Sequence, residues 1–242
     1  MQKSLLLNFI SKYNNVGKIE SVKWEIVGDQ LRTNFISEDK SMIGEVRAFG
    51  FKSDHDGVQL GIYKTSQLAK LLAPLSNEIS PFDIEKVGDK LLSIKLNDEK
   101  SKMNYALSDL AVIPHVPTMK HVPKTFELSF KLDSDFVDTY TKALAALPEV
   151  VTFSIQPGKE GHAILTLGQT DVNTNRFIIN LDTIKNESID KLFFNAPLLS
   201  EILSANKGVD AEFEISNEGL ARIKFETKEY SALYYLVAKK SQ

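Results

Sequence analysis

Residues 58–75 read VQLGIYKTSQLAKLLAPL, a strand pattern that runs directly into a helix pattern. Apolar and polar residues alternate over residues 58–63, which predicts a short strand. The following residues 65–75 place leucines at spacings of three and four, as in an amphipathic helix: Leu68, Leu71, Leu72 and Leu75. The pattern therefore predicts a short strand that leads directly into a helix.

The same unit returns in residues 192–205, LFFNAPLLSEILSA. Its inward apolar positions match those of the first unit at a shift of 131: Leu199, Ile202 and Leu203. A hairpin motif also repeats: Ile223-Lys224-Phe225 corresponds to Ile94-Lys95-Leu96 at a shift of 129 residues. Amphipathic helices are predicted near residues 3–13 and 133–147, each followed by alternating strands. The near-constant shift predicts an internal duplication of a module built as helix, strands, helix and strands.

A proline-rich segment separates the two copies. Residues 109–124, DLAVIPHVPTMKHVPK, contain three of the eight prolines and show neither helical nor strand periodicity. Proline blocks ladder pairing and stiffens an extended chain, so we expect a semi-rigid linker. The predicted organisation is an N-terminal domain at 1–110, a connector at 111–124 and a C-terminal domain at 125–242.

The composition is that of a soluble globular protein. The 242 residues are 43% hydrophobic and 25% charged, which excludes a disordered chain. The sequence contains no cysteine, which excludes a disulfide-rich protein and a zinc site with thiolate ligands. The apolar run at Leu5–Leu7 is too short for a signal sequence or a membrane span. We therefore expect a cytoplasmic protein with no membrane partner.

No catalytic or metal-binding constellation stands out in the sequence. The four histidines lack persuasive partners, and no P-loop, G-x-G-x-x-G, G-x-S-x-G or H-E-x-x-H pattern occurs. An acidic trio, Asp133, Asp135 and Asp138, suits the start of a helix, where carboxylates cap the chain and complement the helix dipole. The expectation is a protein that is not an enzyme and carries no metal.

Charge is distributed unevenly, although the net charge is only -3. No acidic residue precedes Glu20 or falls between Asp56 and Glu78, so both predicted helices of the first half are basic. Residues 1–121 carry 16 basic and 15 acidic residues, whereas 122–242 carry 13 and 17. This pattern suits helices that face a polyanion, although solubilising charge on exposed helices accounts for it equally well.

Taken together, the repeated module, the proline-bearing connector, the basic helices and the missing catalytic motif resemble a DNA sliding clamp. The resemblance is to the clamps of large tailed bacteriophages, the processivity factors of their replicative polymerases, and it covers essentially the whole chain. It implies an α+β DNA-clamp fold in which two similar domains each pack two short helices on antiparallel sheets. It also implies a ring-forming homotrimer that encircles double-stranded DNA without reading its sequence and tethers the polymerase.

The resemblance assigns expected roles to particular residues. The helices would line the hole, and the expected DNA-facing lysines are Lys3, Lys12, Lys64, Lys70, Lys142 and Lys207. Two strands would pair between subunits through edges that carry Met103, Tyr105 and Leu107 on one side and Phe177, Ile179 and Leu181 on the other.

A hydrophobic pocket beside the connector would bind peptide tails of the polymerase and the clamp loader. Its expected residues are Val112, Ile113, Val116, Pro117, Met119, Tyr234 and Tyr235. Connector residues that only pin the segment to the sheet beneath are the alternative. No cofactor of its own is implied, since ATP chemistry would belong to a separate loader. The competing function is a duplicated β-rich structural or virion ring protein that does not slide on DNA.

Overall fold

The computed structural model describes residues 2–119, 122–159, 161–168 and 174–239. The chain forms two compact units, neither of which is one continuous segment. Unit 1 comprises residues 1–38, 44–117 and 227–232, and unit 2 comprises residues 39–43, 118–226 and 233–242. The main change of unit, between residues 117 and 118, falls within the segment predicted as a connector.

Unit 1 is built from two helices and two sheets. Its elements are α1 (Lys3–Asn14), β1 (Val22–Val27), β2 (Gln30–Ile36), β3 (Met42–Phe49), β4 (Gln59–Ile62), α2 (Thr65–Leu72), β5 (Asp83–Val87), β6 (Lys90–Asn97) and β7 (Lys102–Ala106). Strand order is β4-β1-β2-β3 in one sheet and β5-β6-β7 in the other, with antiparallel pairing in the ladders β4-β1-β2 and β5-β6-β7. A single 3-10 turn (Leu110–Val112) follows β7.

The second copy of the module lies in unit 2 and adds one strand in front of it. Its elements are β8 (Leu128–Leu132), α3 (Ser134–Ala145), β9 (Thr152–Pro157), β10 (His162–Leu167), β11 (Phe177–Asn186), β12 (Leu192–Asn195), α4 (Ala196–Ala205), β13 (Ala211–Ser216), β14 (Leu220–Glu226) and β15 (Tyr230–Val237). Residues 230–232 of β15 are counted in unit 1, and residues 42–43 of β3 are counted in unit 2. Strand order is β12-β9-β10-β11-β8-β13-β14-β15. The order of helices and strands thus repeats as the sequence predicts.

Each helix pair covers an aromatic core. In unit 1 the indole of Trp24 donates to the Tyr13 hydroxyl at 3.0 Å, and both side chains are fully buried. In unit 2 the Tyr140 hydroxyl donates to the carbonyl of Ala196 at 3.0 Å, which ties α3 to the start of α4. Burial raises the pKa of both tyrosines, so both hydroxyls stay protonated.

Local chemistry explains where the helices of unit 2 begin. The Asp133 carboxylate accepts from the amide of Phe136 at 2.9 Å, which is the predicted capping role. Asn195 caps α4 by accepting from the amide of Leu198 at 3.0 Å, and Pro197 occupies the first turn.

Candidate functional site

The exposed face of α2 is basic and carries no acidic residue. Lys64 and Lys70 are exposed, with Gln67 between them. The Glu20 carboxylate lies at the first turn of this helix, where it accepts from the amide of Ser66 at 2.9 Å. Lys64 at the start of α2 and Lys70 in its last turn therefore both present their charge to solvent.

Lys3 and Lys12 on α1 are placed differently, which corrects the sequence-based selection. The Lys3 ammonium donates to the carbonyls of Ala73 and Leu75, so it closes the end of α2. Lys12 is buried, with its Nζ 4.4 Å from the ring centre of Tyr230, and burial lowers its pKa to about 8. Neither ammonium projects freely into solvent, because each one contacts groups within unit 1.

The lysines expected on the second pair of helices are both exposed, and Lys142 has an acidic neighbour. Lys142 lies 3.8 Å from Asp138 one turn earlier on α3, and both side chains are mostly exposed. Lys207 is exposed directly after α4. Exposed pairs of this kind are weak in water, so Lys142 keeps most of its ability to attract an anion.

The second candidate surface is the outer edge of β7, which among the described strands pairs only with β6. Leu107 donates its amide to Leu92 of β6 at 2.8 Å, whereas Ser108 donates on the opposite side, to Gly61 at 3.0 Å. Because backbone groups alternate along a strand, the amides of Asn104 and Ala106 point away from β6. This edge is therefore a row of backbone groups open to a further strand.

A matching edge lies on the first half of β11. Residues 177–182 pair with β10 on one side, whereas β8 pairs only with residues 183–186 on the other. Thr183 donates its amide to Gly161 at 3.3 Å on the β10 side. By alternation the amides of Ile178 and Asn180 point away from β10, so half of this strand is a second open edge.

The side chains predicted at these edges divide between core and surface. Met103, Tyr105 and Leu181 are buried in their own units, and Leu107 and Ile179 are half-buried. Phe177 is 43% exposed, and its neighbour Ile178, which the sequence analysis missed, is 50% exposed. The edges match the predicted strands, but the apolar groups free for contact sit on β11, at Phe177 and Ile178.

A groove of about 300 Å³ runs beside the edge of β7, between that strand and α2. Two exposed apolar side chains, Tyr63 and Leu71, lie in its lining. Sequence reasoning placed Leu71 on the buried side of its helix, because the helical period alone does not say how wide the covered face is.

The third candidate surface is the connector, whose apolar residues do not act alike. Ile113 is only 4% exposed and packs against Gly61 of β4, so it pins the segment to the sheet. Val112 is 58% exposed, Pro117 is exposed, and Val116 and Met119 are half-buried. Four of the five predicted connector residues therefore keep apolar surface in contact with solvent.

The two tyrosines predicted beside the connector also differ. Tyr234 is fully buried, and its hydroxyl accepts from the Asn206 amide at 3.1 Å, so it is a core residue rather than a docking wall. Tyr235, on the other face of β15, is half-buried and contributes to holding Arg222. Alternation along β15 separates these neighbours, because consecutive side chains point to opposite faces.

A small polar cavity of about 110 Å³ adjoins the connector in unit 1. Residues of β1 and β2 line one side, and the connector lines the other: Lys23, Glu25, Asn34, Pro114, His115 and Val116. Within the described ranges no group of three or more acidic or histidine side chains is placed to hold a metal ion. Those ranges also contain no helix that is long and apolar enough to cross a membrane.

Comparisons with known proteins agree on one fold. Searches with the sequence find no matching family model and no matching curated relative. Among solved structures, one that describes the C-terminal region of FEN-1 bound to A. fulgidus PCNA matches with a TM-score of 0.75 at 14% identity. The match covers 100% of this chain and 98% of the matched chain. Proliferating Cellular Nuclear Antigen from Entamoeba histolytica matches at 0.73 and 14% identity, covering 99% and 97%. The chain has the PCNA-like clamp fold, which confirms the predicted α+β fold of repeated helices and antiparallel sheets.

Proposed function

We propose that this protein is a DNA sliding clamp, a ring that encircles duplex DNA and tethers the replicative polymerase. The observation that carries the proposal is the pair of open edges on β7 and β11 in a chain with the clamp fold. Such edges invite pairing with another chain, and proteins that persist as monomers usually cover them. Head-to-tail pairing of one edge with the other closes into a ring when the rotation per subunit permits it.

Three subunits of two modules each would give six modules in the ring. The apolar Phe177 and Ile178 on β11 would pack into the groove that Tyr63 and Leu71 line on the next subunit. This contact buries exposed apolar groups on both sides and adds backbone hydrogen bonds between the two edges. We therefore assign the same contact, β11 of one subunit against β7 of the next, to all three interfaces of the proposed homotrimer.

Attraction to DNA would come from the exposed helix lysines, Lys64, Lys70, Lys142 and Lys207. Lysine is a flexible point charge that contacts phosphate without the bidentate geometry of arginine, which suits attraction without a fixed register. The contact is independent of base sequence, so the ring can slide along the duplex.

Partner proteins would dock on the connector, through Val112, Val116, Pro117 and Met119. One structural neighbour is a PCNA with the C-terminal region of FEN-1 bound to it, which supports a tethering role for this fold. We assign the polymerase and the clamp loader to this surface, and we assign a bacteriophage origin on the sequence resemblance described above. The role requires no catalytic step and no cofactor of the clamp itself.

The test combines solution mass with DNA retention. We expect a particle of three times the 27.1 kDa chain mass. After loading by the cognate loader, it should remain on nicked circular DNA, leave when that DNA is linearised, and lengthen primer extension by the polymerase. A monomer at micromolar concentration would contradict the ring. A trimer that circular DNA does not retain would support the structural ring protein instead.

A further inference from the structure

The two copies of the module differ by one strand. In unit 2, β8 lies between β11 and β13 and pairs with both. The described part of unit 1 has no counterpart of β8, and β5, which corresponds to β13, ends the three-stranded sheet. The outer edge of β5 therefore lacks the neighbour that its equivalent possesses.

Register identifies which residues of β5 and β13 correspond. Both strands pair with the next strand through an acidic residue opposite a lysine, followed by an apolar residue opposite an isoleucine. These pairs are Glu212 with Lys224 and Phe213 with Ile223 on β13, and Asp83 with Lys95 and Ile84 with Ile94 on β5. Asp83 is thus the structural equivalent of Glu212, and Ile84 is the structural equivalent of Phe213.

The backbone of Ile84 faces the empty side. Leu92 of β6 accepts from β7, so alternation turns the backbones of Ser93 and Lys95 toward β5. The backbone amides and carbonyls of their partners, Glu85 and Asp83, therefore point toward β6. Those of Ile84, which lies between them, point away from β6. In unit 2 the equivalent residue, Phe213, is opposite Phe130 of β8. An amide and a carbonyl at Ile84 are left for a strand that the described chain does not supply.

Gln2 and Lys3 cover only the approach to this edge. Gln2 forms an isolated bridge with Glu78, and the amide of Lys3 donates to the carbonyl of Asn77 at 2.8 Å. Beyond this bridge the edge continues along β5 to Val87, which is 65% exposed.

The strand β8 defines the chemistry of a segment that fits this kind of edge. It runs antiparallel to β13 and buries Leu128, Phe130 and Leu132, each at most 1% exposed. Its outward Lys131 stands opposite Glu212. Because Asp83 keeps the acidic charge at the equivalent position, a basic residue on an incoming strand would again meet a carboxylate.

We propose that the outer edge of β5 is a strand-acceptor site for an extended segment of another polypeptide. The segment runs antiparallel to β5, has apolar residues at alternate positions and places a lysine or arginine opposite Asp83. Backbone hydrogen bonds at Ile84 give affinity, and the charge at Asp83 sets register. This site is separate from the β7 and β11 edges and from the connector, so it goes beyond the ring and tethering functions.

The test uses the full chain and a fluorescent peptide copying residues 126–132, FELSFKL. We expect saturable binding, and slower hydrogen exchange at the Ile84 amide when the peptide is bound. N-methylation of the peptide at the position of Phe130 should weaken binding at least about tenfold, since it removes a backbone donor. Unchanged exchange at Ile84, or equal binding of the N-methylated peptide, would overturn the proposal.

Charge exchange gives an independent test of register. Asp83→Lys should weaken binding of the peptide, and a peptide with glutamate in place of its lysine should restore it. Ala106→Pro, on the edge of β7, should leave peptide binding unchanged. Failure of the exchange would contradict the assigned register, whereas failure of the ring is measured separately by solution mass.

Discussion

Gly61 is the residue where β4 lies closest to the chain that leaves β7. A Cβ at this position would lie 2.2 Å from the carbonyl oxygen of Ser108 and 3.4 Å from the Ile113 side chain. We expect Gly61→Ala to lower the free energy of unfolding by about 3 kcal/mol, because backbone rather than a flexible side chain must move. Urea unfolding at fixed protein concentration measures the change.

The control for this prediction is Gly28→Ala. Gly28 has a φ of 58° and nothing within 4 Å of an added Cβ, so only the backbone conformation is penalised. That loss should be about 1 kcal/mol. Equal losses for the two variants would show that the contact with Ser108 is not a steric limit.

Lys12 should make stability depend on pH. Its folded pKa of about 8 lies below the usual value near 10.4, so the unfolded chain binds more protons between these two pH values. Burial of the charged amine thus costs stability below pH 8, and that cost disappears as the pH rises toward 10. The stability advantage of Lys12→Met over the native chain should therefore shrink from pH 7 to pH 10.

Urea unfolding at pH 7 and pH 10 measures this advantage. Lys70→Met is the matched control, since Lys70 is exposed and the same substitution there removes no buried amine. A difference for Lys12→Met that does not vary with pH would contradict the assigned cost of burying the amine.

At the scale of elements, the edge of β7 can be tested without disturbing its own sheet. The amide of Ala106 points away from β6, so Ala106→Pro removes a donor from the open edge and keeps the β6 ladder. We expect this variant to be a folded monomer at concentrations where the native chain, by the proposed function, should be a trimer. Light scattering after size-exclusion chromatography measures the mass.

Ala106→Ser serves as the control, because it keeps the amide and should remain trimeric. A trimeric Ala106→Pro variant with an unchanged dissociation constant would place the subunit interface elsewhere. The same strand shows why strand prediction does not give the contact residues. Period-two alternation locates β7, but it cannot distinguish Met103 and Tyr105, which face their own core, from groups that face another subunit.

For the whole molecule, the prediction concerns the distribution of charge rather than its sum. We expect Lys64→Glu with Lys70→Glu to reduce retention on circular DNA by at least about tenfold at physiological salt, because both lysines face solvent on a helix without acidic residues. The trimer should remain intact. Retention after loading, measured over a range of salt concentrations, checks the expectation.

Lys90→Glu with Lys100→Glu is the matched control. It changes net charge by the same amount at exposed positions outside the helices, and it should leave retention nearly unchanged. Equal loss in the two double variants would mean that net charge, rather than its placement on α2, governs binding.

The sequence by itself determined the repeated order of helices and strands and the cap at Asp133, because periodicity and capping depend on residues close together in the chain. The clamp fold was expected from the family resemblance that these features carry together. Only the tertiary structure decided that the ammonium groups of Lys3 and Lys12 contact their own unit instead of solvent. It also decided that Ile113 holds the connector against the sheet, that Tyr234 is a core residue and that half of β11 is an open edge. Those outcomes depend on partners that are distant in sequence. Burial and edge pairing follow from which elements meet, and a local pattern does not contain that information.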